Sequence, residues 1–129
     1  LELLENLRSL FGESAPERLI FQFFQQRQER WQARLAKGKS LVEKATLLTS
    51  LLQQDGCFCR CKYDPEKGVR IEAYHQPLLP VFAKYPRAIG METRMFEALL
   101  GCRVIRREIH SGRHGPARVD FEVATLGVL

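Results

Sequence analysis

The fold class of this chain follows from residues 57–74, which read CFCRCKYDPEKGVRIEAY. Side chains alternate with period two over Cys57–Tyr63 and again over Val69–Tyr74, which is typical of strands that bury one face. Between them lies DPEKG, whose composition predicts a turn. The sequence therefore predicts a β-hairpin in the middle of the chain.

Three helical segments are predicted before this hairpin, because apolar side chains recur there at three- and four-residue spacing. They cover residues 2–11, 15–37 and 40–54. Ser14 and Glu17 match the capping-box pattern and are expected to begin the second segment. Ser40 and Glu43 repeat that pattern at the start of the third. A glycine follows each segment, at positions 12, 38 and 56, and is expected to end it.

Two further helices and a second hairpin are predicted after the first one. Helical spacing predicts a short helix over 78–84 and a longer one over 89–100. Alternation then predicts strands over 102–110 and 116–123, joined by the turn SGRHG. The order ααα-ββ-αα-ββ indicates an α+β domain whose small antiparallel sheet packs on helices.

The chain has 129 residues, enough for one core. Because no apolar run approaches the ~20 residues that span a bilayer, and no signal peptide is visible, we expect a cytoplasmic protein without membrane contact. Residue 1 is Leu, so we expect a piece of a longer protein. We divide it into a helical linker or dimerisation region, 1–37, and an α+β domain, 38–129. The long helix of the first region either forms a dimerisation arm or packs on the sheet.

Charge alone does not identify a partner. The net charge of +5 permits contact with nucleic acid without requiring it. Arginines of the second hairpin alternate with acidic residues, which favours cross-strand ion pairs on a solvated face over a phosphate-binding surface. The arginines are Arg103, Arg106, Arg107, Arg113 and Arg118, and the acids are Glu108, Asp120 and Glu122.

Four cysteines raise the question of a metal site. Cys57, Cys59 and Cys61 are expected on one strand face, with outer members ~13 Å apart, whereas metal–thiolate bonds are only ~2.3 Å long. We therefore expect reduced thiols that line a core face, with no metal site favoured. Cys102 can join them only if its strand lies alongside theirs.

Histidines offer weaker candidates for the same chemistry. His110 and His114 flank the glycine-containing turn of the second hairpin, and His75 follows the first. An exposed polar hairpin tip is the simpler interpretation. No nucleophile elbow, phosphate loop or carboxylate pair is visible, so we expect a protein that is not an enzyme.

Short motifs along the chain resemble the C-terminal domain of bacterial helix-turn-helix transcriptional regulators, in particular the repressors of iron–sulfur cluster assembly genes (the SufR family). The motifs are Leu51-Leu52, Asp55-Gly56, the stretch YHQPL at 74–78, Tyr85-Pro86, Glu92, Leu99-Leu100-Gly101 and Val104 to Gly112. The resemblance implies a dimeric sensor domain downstream of a winged helix-turn-helix, which would lie before Leu1.

In that family, cysteines bind an iron–sulfur cluster within an H-x-C-P type motif and in the final hairpin. The corresponding places here are Gln76, Ile109 and Ala117, none of which carries a thiol. The resemblance therefore implies a related domain that has lost the cluster, and no cofactor is favoured.

The leading hypothesis is an effector-sensing and dimerisation domain of a transcriptional regulator, acting on DNA through the upstream module. The signal is expected to be a small apolar or aromatic molecule between sheet and helices, unless the side chains there form only a core. The candidates to line that site are Phe58, Phe82, Met91, Met95 and Phe96. Two alternatives stay open: a thiol, metal or iron–sulfur redox sensor built on the four cysteines, and a purely structural dimerisation module.

Overall fold

The central hairpin forms as predicted. In the computed structural model, which describes residues 1–110 and 118–124, β1 (Phe58–Asp64) pairs antiparallel with β2 (Gly68–His75). The Asp64 carboxylate accepts a hydrogen bond of 2.8 Å from the Glu66 amide and holds the turn. The predicted turn at 111–115, with Arg113 and His114, lies outside the described residues, as do Ala117 and residues 125–129.

The second hairpin joins the first in a four-stranded antiparallel sheet of order β1-β2-β4-β3. It consists of β3 (Arg103–Ile109) and β4 (Arg118–Ala124). Since β2 pairs with β4, the strands β1 and β3 form the two opposite edges. Strand β3 therefore does not lie alongside β1, and the approach of Cys102 to the other cysteines is not observed.

In the part of the chain that the structure describes, five helices accompany the sheet, and the α+β class and element order are confirmed. They are α1 (Glu2–Phe11), α2 (Ala15–Leu35), α3 (Leu41–Gln54), α4 (Leu79–Lys84) and α5 (Arg87–Leu100). Helix α3 packs on β1 and β2, and α5 packs on β3. Within the described part of the chain, no helix is both long and apolar enough to cross a bilayer.

Helix α2 packs against α5 and α3, so it shares the core of the sheet domain. Its buried side chains include Ile20, Phe24, Trp31 and Leu35. Of the two arrangements considered for the long helix, packing within the chain is therefore observed, while a role of region 1–37 in dimerisation remains a prediction. Helix α1 packs on α2.

The two predicted capping boxes have different outcomes. The Ser40 hydroxyl accepts a hydrogen bond of 3.1 Å from the Glu43 amide, as expected, and the Glu43 carboxylate reaches the Lys39 amide. At Ser14 the prediction is wrong, because this residue has helical backbone angles and its side chain makes no capping hydrogen bond. A tight turn from Gly12 to Ala15 already leads the chain into α2.

Candidate functional site

An apolar groove of about 350 Å³ runs along the first half of α2. Leu4 of α1 lines one side, and Leu78 and Val81, at the start of α4, line another. Its other lining residues belong to α2: Leu19, Ile20, Gln22, Phe23, Phe24 and Gln26. The volume lies within the ordinary range of small-molecule sites.

Apolar side chains are also exposed on the two helices beside this groove. On α1, Leu3, Leu10 and Phe11 are exposed by 66%, 74% and 66%. On α2, Phe21 is half-exposed. Single exposed apolar residues are ordinary, whereas several on neighbouring helices are typical of a surface at which proteins contact other molecules.

A smaller polar pocket adjoins the groove, and Leu78 lines both hollows. Its volume is about 60 Å³. Its polar lining comes from four separate parts of the chain: Arg27 of α2, Asp55 and Cys57 after α3, Gln76 after β2, and Glu92 of α5. Leu52 and Pro77 complete the wall.

Arg27 connects the groove to the polar pocket. Its guanidinium lies over the Phe23 ring at 4.5 Å and over the Trp31 ring at 4.7 Å, one helical turn to either side. The Nη2 atom of Arg27 forms an ion pair of 2.6 Å with Asp55. Burial lowers the pKa of Arg27, and the charge of Asp55 opposes that effect.

Glu92 is the buried acid of the pocket, with 2% of its surface exposed. Gln76 Nε2 donates a hydrogen bond of 3.4 Å to Glu92 Oε1. Burial raises the pKa of Glu92 to about 7, against the opposing effects of Arg106, Gln76 and Arg27. The carboxyl group therefore changes its protonation state near neutral pH.

Some buried polar atoms lack hydrogen-bond partners within the described part of the chain. They are Arg27 Nε, Gln76 Oε1, Tyr85 OH and Arg106 Nε. Arg27 and Gln76 line the polar pocket. Because more than nine in ten buried polar groups find a partner, this concentration identifies a place where a water or a ligand belongs.

The predicted cysteine face is partly observed. Cys57 and Cys59 are buried, whereas Cys61 and Cys102 are half-buried. The register of β1 shifts between Phe58 and Cys59, and the Cys59 thiol donates a hydrogen bond of 3.8 Å to the Thr49 carbonyl oxygen. The neighbouring Cys59 thiol and burial raise the pKa of Cys57, and the neighbouring Cys57 thiol lowers the pKa of Cys59.

The metal-ligand candidates are dispersed. His75 and His110 are exposed, and His110 lies 3.7 Å from Glu108. Within residues 1–110 and 118–124, no three His, Cys, Asp or Glu side chains are close enough to hold one metal ion. Two of the cluster positions implied by the resemblance are Gln76 and Ile109. The Gln76 amide forms a hydrogen bond with Glu92, and the side chain of Ile109 is a hydrocarbon that cannot ligate iron. These side chains do not fit an iron–sulfur cluster.

Of the five predicted pocket residues, none lines the groove or the polar pocket. Phe82, Met95 and Phe96 are fully buried core residues, and Met91 is half-buried. Phe58 was wrongly placed between sheet and helices. It is 70% exposed on the other face and contacts the Tyr74 ring, because alternation along β1 points it away from the helices.

The ion pairs predicted for the second hairpin form in part. Arg107 of β3 reaches Glu122 of β4 over 3.1 Å, and Arg118 pairs with Asp120 in its own strand. Arg106 forms an ion pair of 2.9 Å with Glu108 of its own strand, as expected, but its side chain is only 12% exposed rather than solvated, and its charge also acts on buried Glu92.

The outer face of the sheet carries a second buried acid, Glu72. It accepts hydrogen bonds of 2.8 to 3.1 Å from Tyr74, Arg60 and Arg70. Burial alone would raise its pKa, but these hydrogen bonds and the charge of Arg118 prevail and lower the pKa to about 2. Both carboxylate oxygens of Glu72 have hydrogen-bond donors, so this cluster stabilises the outer face of the sheet.

Sequence reasoning missed Arg27, and noted Asp55 and Glu92 only as parts of motifs. The available signal was the position of Arg27 between two aromatic residues at i−4 and i+4 on α2. Comparison with protein-family models, characterised proteins and solved structures found no match to this chain.

Proposed function

We propose that this chain is the effector-sensing and dimerisation domain of a bacterial helix-turn-helix transcriptional regulator, acting on DNA through an upstream module. The observation that carries the proposal is the apolar groove between α1, α2 and α4, with exposed apolar side chains on the helices beside it. The motif resemblance points to the same class of protein.

The groove supplies a route from effector to dimer. Its lining comes from three helices, and Leu4 contributes the wall on α1. Helix α1 is otherwise tied by its packing on α2 and by an ion pair of Glu5 with Lys84 of α4. A small apolar or aromatic molecule in the groove contacts α1 only when that helix occupies one of its positions. Binding of the molecule therefore favours that position of α1. A shift of α1 changes the spacing of the paired DNA-binding modules and their fit to operator half-sites.

Light scattering of the purified chain tests the dimer. We expect the mass of two chains, and of one chain for Leu10→Glu, because a charge replaces the most exposed leucine of α1. Asn6→Glu adds the same charge to an exposed polar position of α1 and is expected to remain dimeric. A wild-type chain that is monomeric at micromolar concentration contradicts the dimerisation role.

Promoter occupancy tests the regulatory role. Expressed from its own gene with a C-terminal tag, the protein is expected to cross-link to defined promoter regions. Absence of any enriched DNA contradicts a role in transcription, whatever the mass measurement shows.

A further inference from the structure

We infer that the occupant of the groove is an amphipathic molecule whose neutral head group, a primary carboxamide, is held in the polar pocket by Arg27, Gln76 and Glu92. This inference rests on the proposed function, because it specifies the effector of the same site.

The apolar and polar hollows adjoin each other along α2. Leu78 lines both, and the Arg27 guanidinium lies 4.5 Å from the Phe23 ring, which lines the groove. An elongated molecule with its body beside Phe23 therefore has its end next to Arg27. The polar pocket, at about 60 Å³, admits a head group of a few heavy atoms.

The free hydrogen-bonding atoms define the head group. Among the described residues, Arg27 Nε is a buried donor without an acceptor, and Gln76 Oε1 is a buried acceptor without a donor. The head must accept from the first and donate to the second. A primary carboxamide does both, and its second N–H can donate to the Glu92 carboxylate.

Charge excludes the common ionic head groups. A carboxylate would lie near Asp55 and Glu92 and would leave Gln76 Oε1 without a donor. An ammonium group would lie beside the Arg27 guanidinium, which already has its ion pair with Asp55. An unmatched charge in a buried site costs several kcal/mol, so a neutral head is favoured.

Titration calorimetry with three probes of equal chain length tests the head group: hexanamide, hexanoate and hexylamine. On the wild-type chain at pH 6, where the Glu92 carboxyl group is mostly neutral, we expect hexanamide to bind about tenfold more tightly than either ionic probe, as for one or two net hydrogen bonds. This comparison needs no variant, so it holds even where pocket substitutions impair folding.

Gln76→Leu is expected to reduce hexanamide affinity about tenfold and to leave hexanoate affinity unchanged, because a carboxylate cannot donate to Gln76 Oε1. Gln54→Leu changes an exposed glutamine at the end of α3 and is expected to change neither.

Equal affinity for the three probes, or tighter binding of hexanoate, overturns the inference and leaves the groove as a site for an apolar effector. Failure of all three probes to bind also overturns it. The proposed function is judged separately, by mass and promoter occupancy.

Discussion

Gln76 Nε2 donates a hydrogen bond of 3.4 Å to Glu92 Oε1 in a place where both side chains are closed off from solvent. The contact joins the residue after β2 to α5, and its other neighbours are Arg27 of α2 and Arg106 of β3. A buried carboxyl group held by a neutral amide remains costly to ionise, since neither arginine donates a hydrogen bond to it.

The pH dependence of folding follows from Glu92. Its pKa is raised from 4.5 to about 7, so the folded state binds a proton more tightly than the unfolded state. Stability is therefore expected to fall as pH rises from about 4.5 through 7, by on the order of 3 kcal/mol from this residue. Glu92→Gln stays neutral and is expected to remove that loss.

Urea unfolding at pH 5 and pH 8, followed through the fluorescence of buried Trp31, measures this difference. Glu29→Gln, an exposed position of α2, is the control and should follow the wild type at both pH values. We expect the free energy of unfolding of the wild type to fall between pH 5 and pH 8 relative to that of Glu92→Gln. A value that stays the same or rises on this comparison would contradict the expected titration.

Glu72 gives a pH effect of the opposite sign. Its pKa is lowered from 4.5 to about 2, so its contribution is complete above pH 4.5 and is lost as pH falls through 2. Glu72→Gln is expected to cost about 2 kcal/mol at pH 7, less than the full shift because Arg60 and Arg70 are partly exposed.

Guanidinium unfolding at pH 7 and pH 3 tests this prediction. The difference between wild type and Glu72→Gln should shrink at pH 3, whereas Glu66→Gln, in the exposed turn of the first hairpin, should have no effect at either pH. An equal difference at both pH values would mean that Glu72 acts through packing rather than through its charge.

The helices and strands of this chain are predictable because they depend on local spacing. Period-two alternation locates β1 and β2 almost to the residue, and Gly12, Gly56 and Gly101 end helices with positive φ angles, where other residues are strained. The order of the strands in the sheet is not predictable from local spacing. Pairing of β2 with β4 depends on which hairpin edges meet, which no local pattern determines.

The candidate site was predictable only in part. Gln76 and Glu92 belong to short motifs, but the hollow between them depends on Arg27, which lies far away in sequence and comes close through the packing of α2 on α5. Phe82 and Phe96, which were expected to line a pocket, are core residues instead, whereas Phe58 is exposed on the other face of the sheet. Phe96 of α5 packs edge-to-face against Phe121 of β4, with 4.8 Å between the ring centroids.

Cysteine accessibility gives a prediction that needs no variant. Cys61 and Cys102 are half-buried, whereas Cys57 and Cys59 are buried and the Cys59 thiol donates a hydrogen bond to the Thr49 carbonyl oxygen. Iodoacetamide is expected to alkylate Cys61 and Cys102 of the folded chain first. The alkylation rates of Cys57 and Cys59 are expected to be lower by about tenfold or more. Peptide mass mapping over time measures the four rates, and in urea they should become similar. Faster labelling of Cys57 than of Cys61 in the folded chain would contradict the assignment of Cys57 as the more buried thiol.

Substitution of two phenylalanines compares the stability that a buried ring contributes with the stability that an exposed ring contributes. Phe96 is fully buried against Phe121, so Phe96→Ala is expected to cost about 4 kcal/mol through lost transfer free energy and the resulting cavity. Phe58→Ala removes the same atoms from a side chain that is 70% exposed and lies beside the Tyr74 ring, so we expect a loss below about 1 kcal/mol. Denaturant unfolding of both variants measures the contrast. A large loss at Phe58 would instead show that the outer sheet face is buried by a partner molecule or a second copy, because residues 1–110 and 118–124 leave 70% of Phe58 exposed.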